Sequence, residues 1–265
     1  MPDRDPVSWN TMPSGYAGFA GYFEEARSLF DRMPERDAVS WNTMIAACSR
    51  NGRTGEAERL FEAMPGRNAV SWNTLMMGFL ENGEVEKAVE VFRGIPSRDS
   101  TSLSALVRGL ARNDMLRAAE DVLLGLDFTR DGALDAYNTL IAAYGQRGMV
   151  MEARQVFDRI PHIHKNAVSW NSMSMCYVKT GDLSAARATF TETPQKDCVS
   201  WNTMITGLVN ASEMDEAEAL FWRMPEPDSW TWTLMVSGFA QKGELEKARA
   251  SSTGCLAKHW SHGIR

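Results

Sequence analysis

The chain has 265 residues, of which 44% are hydrophobic and 23% are charged, and its formal net charge is −6 at pH 7. This composition is that of a folded protein rather than a disordered one, and no apolar run approaches the roughly 20 residues of a membrane-spanning helix. Proteins that hold nucleic acid mainly through phosphates are basic, so nucleic-acid binding by this acidic chain would depend on base contacts and on local basic residues.

A short motif recurs along the whole chain. It reads Trp-Asn-Thr-Met from residues 9, 41 and 201, and related tetrapeptides begin at residues 72, 103, 137, 170 and 232. The steps between these positions are 31 to 34 residues. A period in this range indicates stacked helical units. We therefore predict an all-α solenoid of helix-turn-helix repeats, about seven full repeats and a partial eighth, and we number the repeats by these positions.

The chain begins inside this pattern, because its first ten residues match residues 33–42 closely. We expect a preceding repeat upstream, so that the chain is truncated at this end, and no Arg- and Ser-rich transit leader is visible. In the first repeat Pro13 stands where other repeats carry isoleucine. Since proline removes a helical hydrogen bond, the first helix of that repeat is expected to be distorted.

Repeat two shows how each unit folds. Ser40 is predicted as the N-cap of its first helix, Gly52 ends that helix with a left-handed turn, and Pro65 ends the second helix. Apolar residues follow helical spacing in both segments. They are Trp41, Met44, Ile45 and Cys48 in the first helix, and Ala57, Leu60, Phe61 and Met64 in the second.

The last part of the chain departs from the repeats. The repeat array is predicted over residues 1–250, and residues 251–265 have no helical periodicity. With suitable codons, the same bases read one position over encode Phe-Phe-Asp-Arg-Met-Pro, which would continue the repeat after Ala250. We expect that a single-base shift ended the array early, and the alternative is a tail that evolved as a cap. His259 and His262 are then accidental rather than metal ligands.

The repeats resemble those of pentatricopeptide repeat proteins, in particular the PLS subgroup with its short 31-residue repeats. The resemblance rests on V-S-W-N-T-M openings, a G-x-x-x-E-A middle and F-x-x-M-P-x-R-D endings, and it covers about 250 of the 265 residues. It implies a right-handed α-solenoid that binds single-stranded RNA at one base per repeat. The alternative is a protein-binding scaffold of the tetratricopeptide type, which has another residue signature.

By this resemblance, two residues of each repeat read the base: the fifth residue and the last residue before the next repeat. In the family an Asn with Asp favours U and an Asn with Asn favours C or U, while the second residue flanks the base. The pairs are Asn10 with Asp37, Asn42 with Asn68, Asn73 with Asp99, Asn138 with Asn166, Asn171 with Asp197, and Asn202 with Asp228. The flanking residues are Val7, Val39, Val70, Val168 and Val199.

Read from the 5′ to the 3′ end of RNA, these pairs predict the pyrimidine-rich site U-C-U-x-C-U-U. The x belongs to repeat four, where Ser104 takes the fifth position and Ala133 follows in place of Asp or Asn. In repeat five Asp135 replaces the usual valine, which weakens that assignment. An alternative is that the Asn residues only satisfy backbone groups at helix ends.

Two other recurrent residues have simpler interpretations. The tryptophans lie on the apolar stripe and are predicted to be core between helices, not stacking platforms for bases. The basic residues before the closing Asp, such as Arg36 and Arg98, either supply local positive charge to the binding edge or are solvated surface charges.

No catalytic motif accompanies the repeats. A zinc deaminase needs H-x-E and P-C-x-x-C, and neither occurs, nor does a phosphate-binding glycine loop. The scattered cysteines, Cys48, Cys176, Cys198 and Cys255, form no metal or redox pattern. We predict a non-enzymatic protein without cofactor, metal or membrane partner, acting in mitochondria or chloroplasts by family resemblance. Any editing or processing enzyme would act in trans.

Overall fold

The computed structural model describes residues 23–124 and 133–249. These residues form helices joined by short turns, and no strand occurs among them. The predictions for the first helix of repeat one, for the connection after repeat four and for the tail 251–265 lie outside the described residues. The helices of repeats one to four are α1 (Phe23–Asp31), α2 (Ala38–Arg50), α3 (Thr54–Ala63), α4 (Ala69–Glu81), α5 (Val85–Gly94), α6 (Ser100–Arg112) and α7 (Leu116–Leu124).

The later repeats continue the same alternation of a longer first helix and a shorter second helix. They contain α8 (Ala133–Gln146), α9 (Val150–Arg159), a 3-10 turn at His162–His164, α10 (Ala167–Thr180), α11 (Leu183–Glu192), α12 (Cys198–Asn210), α13 (Met214–Arg223) and α14 (Ser229–Lys242). A further helical segment covers residues 245–249. None of the described helices is long and apolar enough to cross a membrane.

The described residues form two compact units, divided between Thr139 and Leu140. In the first unit, α2 packs on its partner α3 and on the next first helix, α4, and α4 packs in turn on α6. In the second unit, α10 packs on α11 and α12, and α12 packs on α13 and α14. Each hairpin therefore covers its apolar stripe with the next hairpin, as the repeat period predicts.

The ends of the helices agree with the sequence except at one position. Helix α2 ends at Arg50 before Gly52, whose φ of 70° requires the left-handed region, and α3 ends just before Met64 and Pro65. The predicted N-cap Ser40 is wrong. The N-cap of α2 is Asp37, whose carboxylate accepts the Ser40 backbone N–H at 2.8 Å. An earlier start is favourable because aspartate caps well and the Ser40 hydroxyl can bond back to the Asp37 carbonyl.

The five motif tryptophans within the described residues pack between helices, as predicted. Each one packs edge-on against the phenylalanine of the preceding second helix, with ring centroids 4.6 to 5.2 Å apart. Such T-shaped pairs add to the apolar area that the rings bury. The pairs are Phe30 with Trp41, Phe61 with Trp72, Phe157 with Trp170, Phe190 with Trp201, and Phe221 with Trp232.

The recurrent arginines complete this layer. The guanidinium of Arg67 lies 4.9 Å from the centroid of the Phe61 ring and donates to the Phe61 and Glu62 carbonyls at the end of α3. Arg36 and Arg98 make the equivalent contacts with Phe30 and Phe92. A cation at a helix C-terminus is favourable because the last carbonyls carry partial negative charge. These contacts account for the arginines without a role in binding.

Candidate nucleic-acid interface

The last residues of the repeats, which the sequence assigns to base reading, are all N-caps. Each side chain accepts the backbone N–H of the residue three positions on, at 2.8 to 3.0 Å. An Asp or Asn here therefore has a structural reason that is independent of RNA. The six residues are Asp37, Asn68, Asp99, Asn166, Asp197 and Asp228.

The fifth-position asparagines lie one turn further into the first helices. Asn42, Asn73 and Asn202 are partly buried, and Asn138 and Asn171 are buried. The alternative that they satisfy helix-end backbone groups fails for Asn171 and Asn202, because their side chains bond to other side chains. The neighbouring caps fill that backbone role instead.

Two of the predicted pairs are in direct contact. Asn171 Nδ2 donates to Asp197 Oδ1 at 2.9 Å, and Asn202 Nδ2 donates to Asp228 Oδ2 at 3.4 Å. These residues are 26 positions apart in the sequence, so only the stacking of α10 on α12 and of α12 on α14 brings them together.

The other predicted pairs differ. The Oδ1 atoms of Asn42 and Asn73 are buried without a hydrogen-bond partner, and neither side chain bonds to its predicted partner. Ser104, the fifth residue of repeat four, is likewise buried with an unpartnered hydroxyl. Asn138 belongs to the first unit and Asn166 to the second. Asn10 and Val7 lie outside the described residues.

A cavity of about 400 Å³ opens beside the Asn171 and Asp197 pair. It lies between first helices α8, α10 and α12, and Val168 and Val199 line it at the start of two successive helices. Its size is within the range of ligand pockets, about 300–1,000 Å³. Two apolar side chains beside a donor and an acceptor suit a flat heterocycle with polar edges, such as a nucleobase.

The flanking valines are exposed although they are apolar. Val39, Val70, Val168 and Val199 are each 55–60% exposed at the second position of a first helix. Trp230 occupies the same position in repeat eight and is 65% exposed. The sequence analysis missed it, although its place two residues before Trp232 matches the spacing of each valine to its aromatic residue.

Lys179 is a second residue that the sequence analysis missed. It lines the cavity together with Asn171 and Met175, and the three follow one another at i, i+4 and i+8 on α10. Helical spacing from Asn171 would have found it. An ammonium group at this place can balance a phosphate of a bound nucleotide.

Three carboxylates of the candidate interface, Asp99, Asp197 and Asp228, have lowered pKa values and are charged at neutral pH. Burial raises the pKa of Asp197, but hydrogen bonds from Asn171 and Ser200 outweigh burial and leave that pKa below its ordinary value. The same balance, with Thr231 and Asn202 as donors, lowers the pKa of Asp228. The pKa of Asp99 is lowered chiefly by the Ser102 backbone N–H. Each carboxylate therefore accepts hydrogen bonds but does not donate them.

Acid is expected to weaken these caps. Because the folded-state pKa of Asp99 lies below the unfolded value of about 3.9, its stabilisation is complete above that value and is lost as the pH falls through the folded pKa. Wild-type protein should therefore lose more thermal stability between pH 7 and pH 3 than the Asp99→Asn variant, whose uncharged cap does not titrate. Equal losses in melting temperature would contradict this prediction. Asn68 and Asn166 already cap helices of this chain, so an asparagine at position 99 should also be able to cap its helix.

Known family models match the repeat pattern. The family model described as PPR repeat matches residues 7–37, 39–68, 70–99, 135–162 and 168–198, and the model described as PPR repeat family matches residues 196–241. The matches leave out residues 100–134, which include all of repeat four, the copy that lacks both the aromatic residue and the asparagine.

Two curated relatives are pentatricopeptide repeat-containing proteins of Arabidopsis thaliana. One is 40% identical over 55 residues, which is 21% of this chain and 10% of that protein. The other, whose name includes the word chloroplastic, is 42% identical over 67 residues, which is 24% of this chain and 12% of that protein. The aligned segments are thus a small part of the relatives' own length.

The fold is similar to crystal structures of the maize pentatricopeptide repeat protein PPR10. One superposes with a TM-score of 0.63 at 19% identity, covering 97% of this chain and 45% of that chain. A second, described as a complex with an 18-nt psaJ RNA element, has a TM-score of 0.61 at 20% identity, covering 100% of this chain and 41% of that chain. The predicted fold class, a right-handed α-solenoid of helix-turn-helix repeats, is confirmed. With family models matching most of its residues, the chain belongs to the pentatricopeptide repeat family.

Proposed function

We propose that this protein binds single-stranded RNA and reads one base per repeat through its fifth-position and last residues. The observation that carries the proposal is the cavity beside Asn171 and Asp197, where an amide and a carboxylate face a space between Val168 and Val199. The maize structure with an RNA element supports RNA as the ligand class.

The chemistry of the pair explains a preference for uracil. Asn171 uses one N–H for Asp197 and retains a second, while the carboxylate retains unused lone pairs. Uracil offers a carbonyl oxygen to the N–H and its N3–H to the carboxylate. Cytosine has an unprotonated N3, which a carboxylate repels. Where Asn replaces Asp, as at Asn68 and Asn166, the repulsion is absent and either pyrimidine is acceptable.

The proposed order of bases is U-C-U-x-C-U-U from repeat one to repeat seven, with the base of repeat four unassigned. Valines at the second positions of successive repeats would contact the two faces of each base. By repeat equivalence, Val199 and Trp230 would flank the base that Asn202 and Asp228 read. Lys179 would face a phosphate near the base of repeat six.

We place this binding in organellar RNA processing or C-to-U editing, where the protein would act as a specificity factor without catalytic activity. The chloroplastic name of one relative supports an organelle. Within the described residues, no cluster of His, Cys, Asp or Glu is arranged to hold a metal ion. An enzyme bound in trans would supply any chemistry.

Binding to RNAs of matched length tests the proposal. An RNA carrying U-C-U-A-C-U-U should bind more tightly than one with purines at the six assigned positions. The double variant Asn73→Ala, Asn202→Ala should lower that preference by at least about ten-fold, since a good base contact is worth about 1–3 kcal/mol of discrimination. Fluorescence anisotropy with labelled RNA measures both constants.

Three outcomes separate the possible functions. Equal affinity for the two RNAs would refute base reading by these residues. Binding of peptides without any binding of RNA would favour the alternative of a tetratricopeptide-type scaffold. An unchanged preference in the double variant would exclude Asn73 and Asn202 as reading residues.

A further inference from the structure

We propose that Ser200 and Thr231 are positioning residues that hold the reading asparagine of the preceding repeat in one orientation and so set the preference for uracil over cytosine. This inference rests on the proposed function, because it concerns the same base-reading pairs. Each residue stands third in its first helix, 29 positions after the asparagine that it contacts.

The contacts form a closed ring in repeat six. The Ser200 hydroxyl lies 2.7 Å from Asn171 Oδ1 and 2.9 Å from Asp197 Oδ1, and Asn171 Nδ2 donates to the same carboxylate at 2.9 Å. Donation by the hydroxyl to Oδ1 leaves the amide nitrogen facing the carboxylate. A flipped amide would place its oxygen against the charged carboxylate, so the ring accepts one orientation only.

Repeat seven has the same ring with a threonine. The Thr231 hydroxyl lies 2.7 Å from Asn202 Oδ1 and 2.7 Å from Asp228 Oδ1, while Asn202 Nδ2 lies 3.4 Å from Asp228 Oδ2. Both hydroxyl-bearing residues accept this arrangement, so the hydroxyl is the required group. Since each hydroxyl lies on the first helix that follows the helix of its asparagine, the ring also depends on how closely successive first helices stack.

Repeat three provides the natural comparison. Its reading pair, Asn73 with Asp99, is chemically the same as the pair in repeat six. The Ser102 hydroxyl, however, donates to the Asp99 backbone carbonyl at 2.9 Å rather than to Asn73. Asn73 then makes no bond to Asp99, and its Oδ1 is buried without a partner. The carboxylate alone therefore does not hold the asparagine, and the pair is engaged where the hydroxyl reaches it.

Repeat two shows the same dependence with an asparagine cap. There the Ser71 hydroxyl lies 3.0 Å from Asn68 Oδ1, and Asn42 Oδ1 has no partner. The hydroxyl at the third position thus has two uses, closing the cap or holding the preceding asparagine. Only the second use presents a fixed amide N–H beside a carboxylate to a base.

Loss of the ring should change the discrimination between uracil and cytosine rather than the overall affinity for RNA. With the amide fixed, an N–H and a carboxylate face the base, which matches a uracil carbonyl and N3–H and opposes cytosine N3. Without the hydroxyl, the asparagine can turn and present its oxygen to the cytosine amino group. Loss of Ser200 and Thr231 should therefore lower the ratio of uracil to cytosine binding while pyrimidines remain preferred over purines.

The test compares two RNAs that differ only at their last two pyrimidines, U-C-U-A-C-U-U and U-C-U-A-C-C-C. Wild-type protein should prefer the first, and the variant Ser200→Ala, Thr231→Ala should lose about five-fold or more of that preference, within the range of a single good base contact. The conservative variant Ser200→Thr, Thr231→Ser should retain it, because the hydroxyls remain.

Ser102→Ala is the matched control, since it also removes a hydroxyl from a cap but not from a reading asparagine. Melting temperatures of all variants check that Ser102→Ala and Ser200→Ala, Thr231→Ala destabilise the protein to a similar extent for each cap altered. Suppose that wild-type protein selects pyrimidines and that Ser200→Ala, Thr231→Ala keeps the wild-type preference for uracil over cytosine. This result would overturn the inference and leave base reading intact. For Ser102→Ala, the preference at the third nucleotide is measured with U-C-U-A-C-U-U and U-C-C-A-C-U-U. An equal loss of uracil preference there would also overturn the inference, because capping would then be the cause. If wild-type protein does not distinguish pyrimidine from purine RNA, base reading and this inference fall together.

Discussion

Replacing Phe61 with alanine is expected to lower the free energy of unfolding by about 3–5 kcal/mol, the cost of removing a buried aromatic ring and leaving a cavity. Phe61 is 5% exposed, its ring centroid lies 4.7 Å from that of Trp72, and the guanidinium of Arg67 covers it at 4.9 Å. The ring therefore joins two successive repeats. Urea unfolding followed by circular dichroism measures the change.

Neighbouring substitutions provide the controls for this prediction. Glu62 is the next residue on α3 and is exposed, so Glu62→Ala should change the free energy of unfolding by less than about 0.5 kcal/mol. Arg67→Ala removes the cation but leaves the ring pair, and should cost less than Phe61→Ala. If Phe61→Ala lowers the free energy of unfolding by less than about 1 kcal/mol, the aromatic layer does not stabilise the packing of one repeat on the next.

Replacing Trp230 with alanine is expected to weaken binding of U-C-U-A-C-U-U by about ten-fold, since stacking of a base on an aromatic side chain is worth about 1–3 kcal/mol. Trp230 is 65% exposed and lies two residues after Asp228, at the position where Val168 and Val199 line the cavity of repeat six. Trp230→Val should lose less, because valine serves at this position elsewhere. Anisotropy titrations measure each dissociation constant.

Trp222 offers a matched control for an exposed tryptophan. It is 69% exposed but lies on α13, a second helix, where the equivalent residue of repeat six is Thr191. Trp222→Thr should leave RNA affinity within about two-fold of wild type, well under the stacking energy. An abasic site at the seventh nucleotide should remove the difference between wild type and Trp230→Ala. If Trp230→Ala binds the intact RNA as tightly as wild type, the tryptophan does not contact the base.

The fold and the hairpin ends could be predicted because they depend on local properties. The repeat period, the apolar spacing within one helix, and stops such as Gly52 and Pro65 act through hydrogen bonds and turns between residues a few positions apart. Even the error at Ser40 was local. Serine and aspartate are both good caps, and the pattern alone did not show which of two positions three residues apart begins the helix.

The contacts within the proposed reading pairs were only partly predictable. Family resemblance indicated which positions belong together, and the structure brings Asn171 to Asp197 and Asn202 to Asp228. Sequence offered no sign that Asn73 and Asp99, the same two residue types, would remain apart. That difference depends on which acceptor the hydroxyl of the next first helix reaches, the Asp99 backbone carbonyl for Ser102 and the asparagine Oδ1 for Ser200.

Tertiary structure thus decided the site, whereas the repeat pattern was sufficient for the architecture. The approach of one first helix to the next sets the cavity, and it depends on side chains that lack obvious sequence signals. Gly145 is an example: a Cβ placed there would lie 2.0 Å from Cys176 Sγ, so only glycine lets α8 approach α10 this closely. Periodicity specifies helices because their hydrogen bonds are local. The cavity, the hydroxyl rings and the exposure of Trp230 result from packing between residues about 30 positions apart, which periodicity alone does not determine.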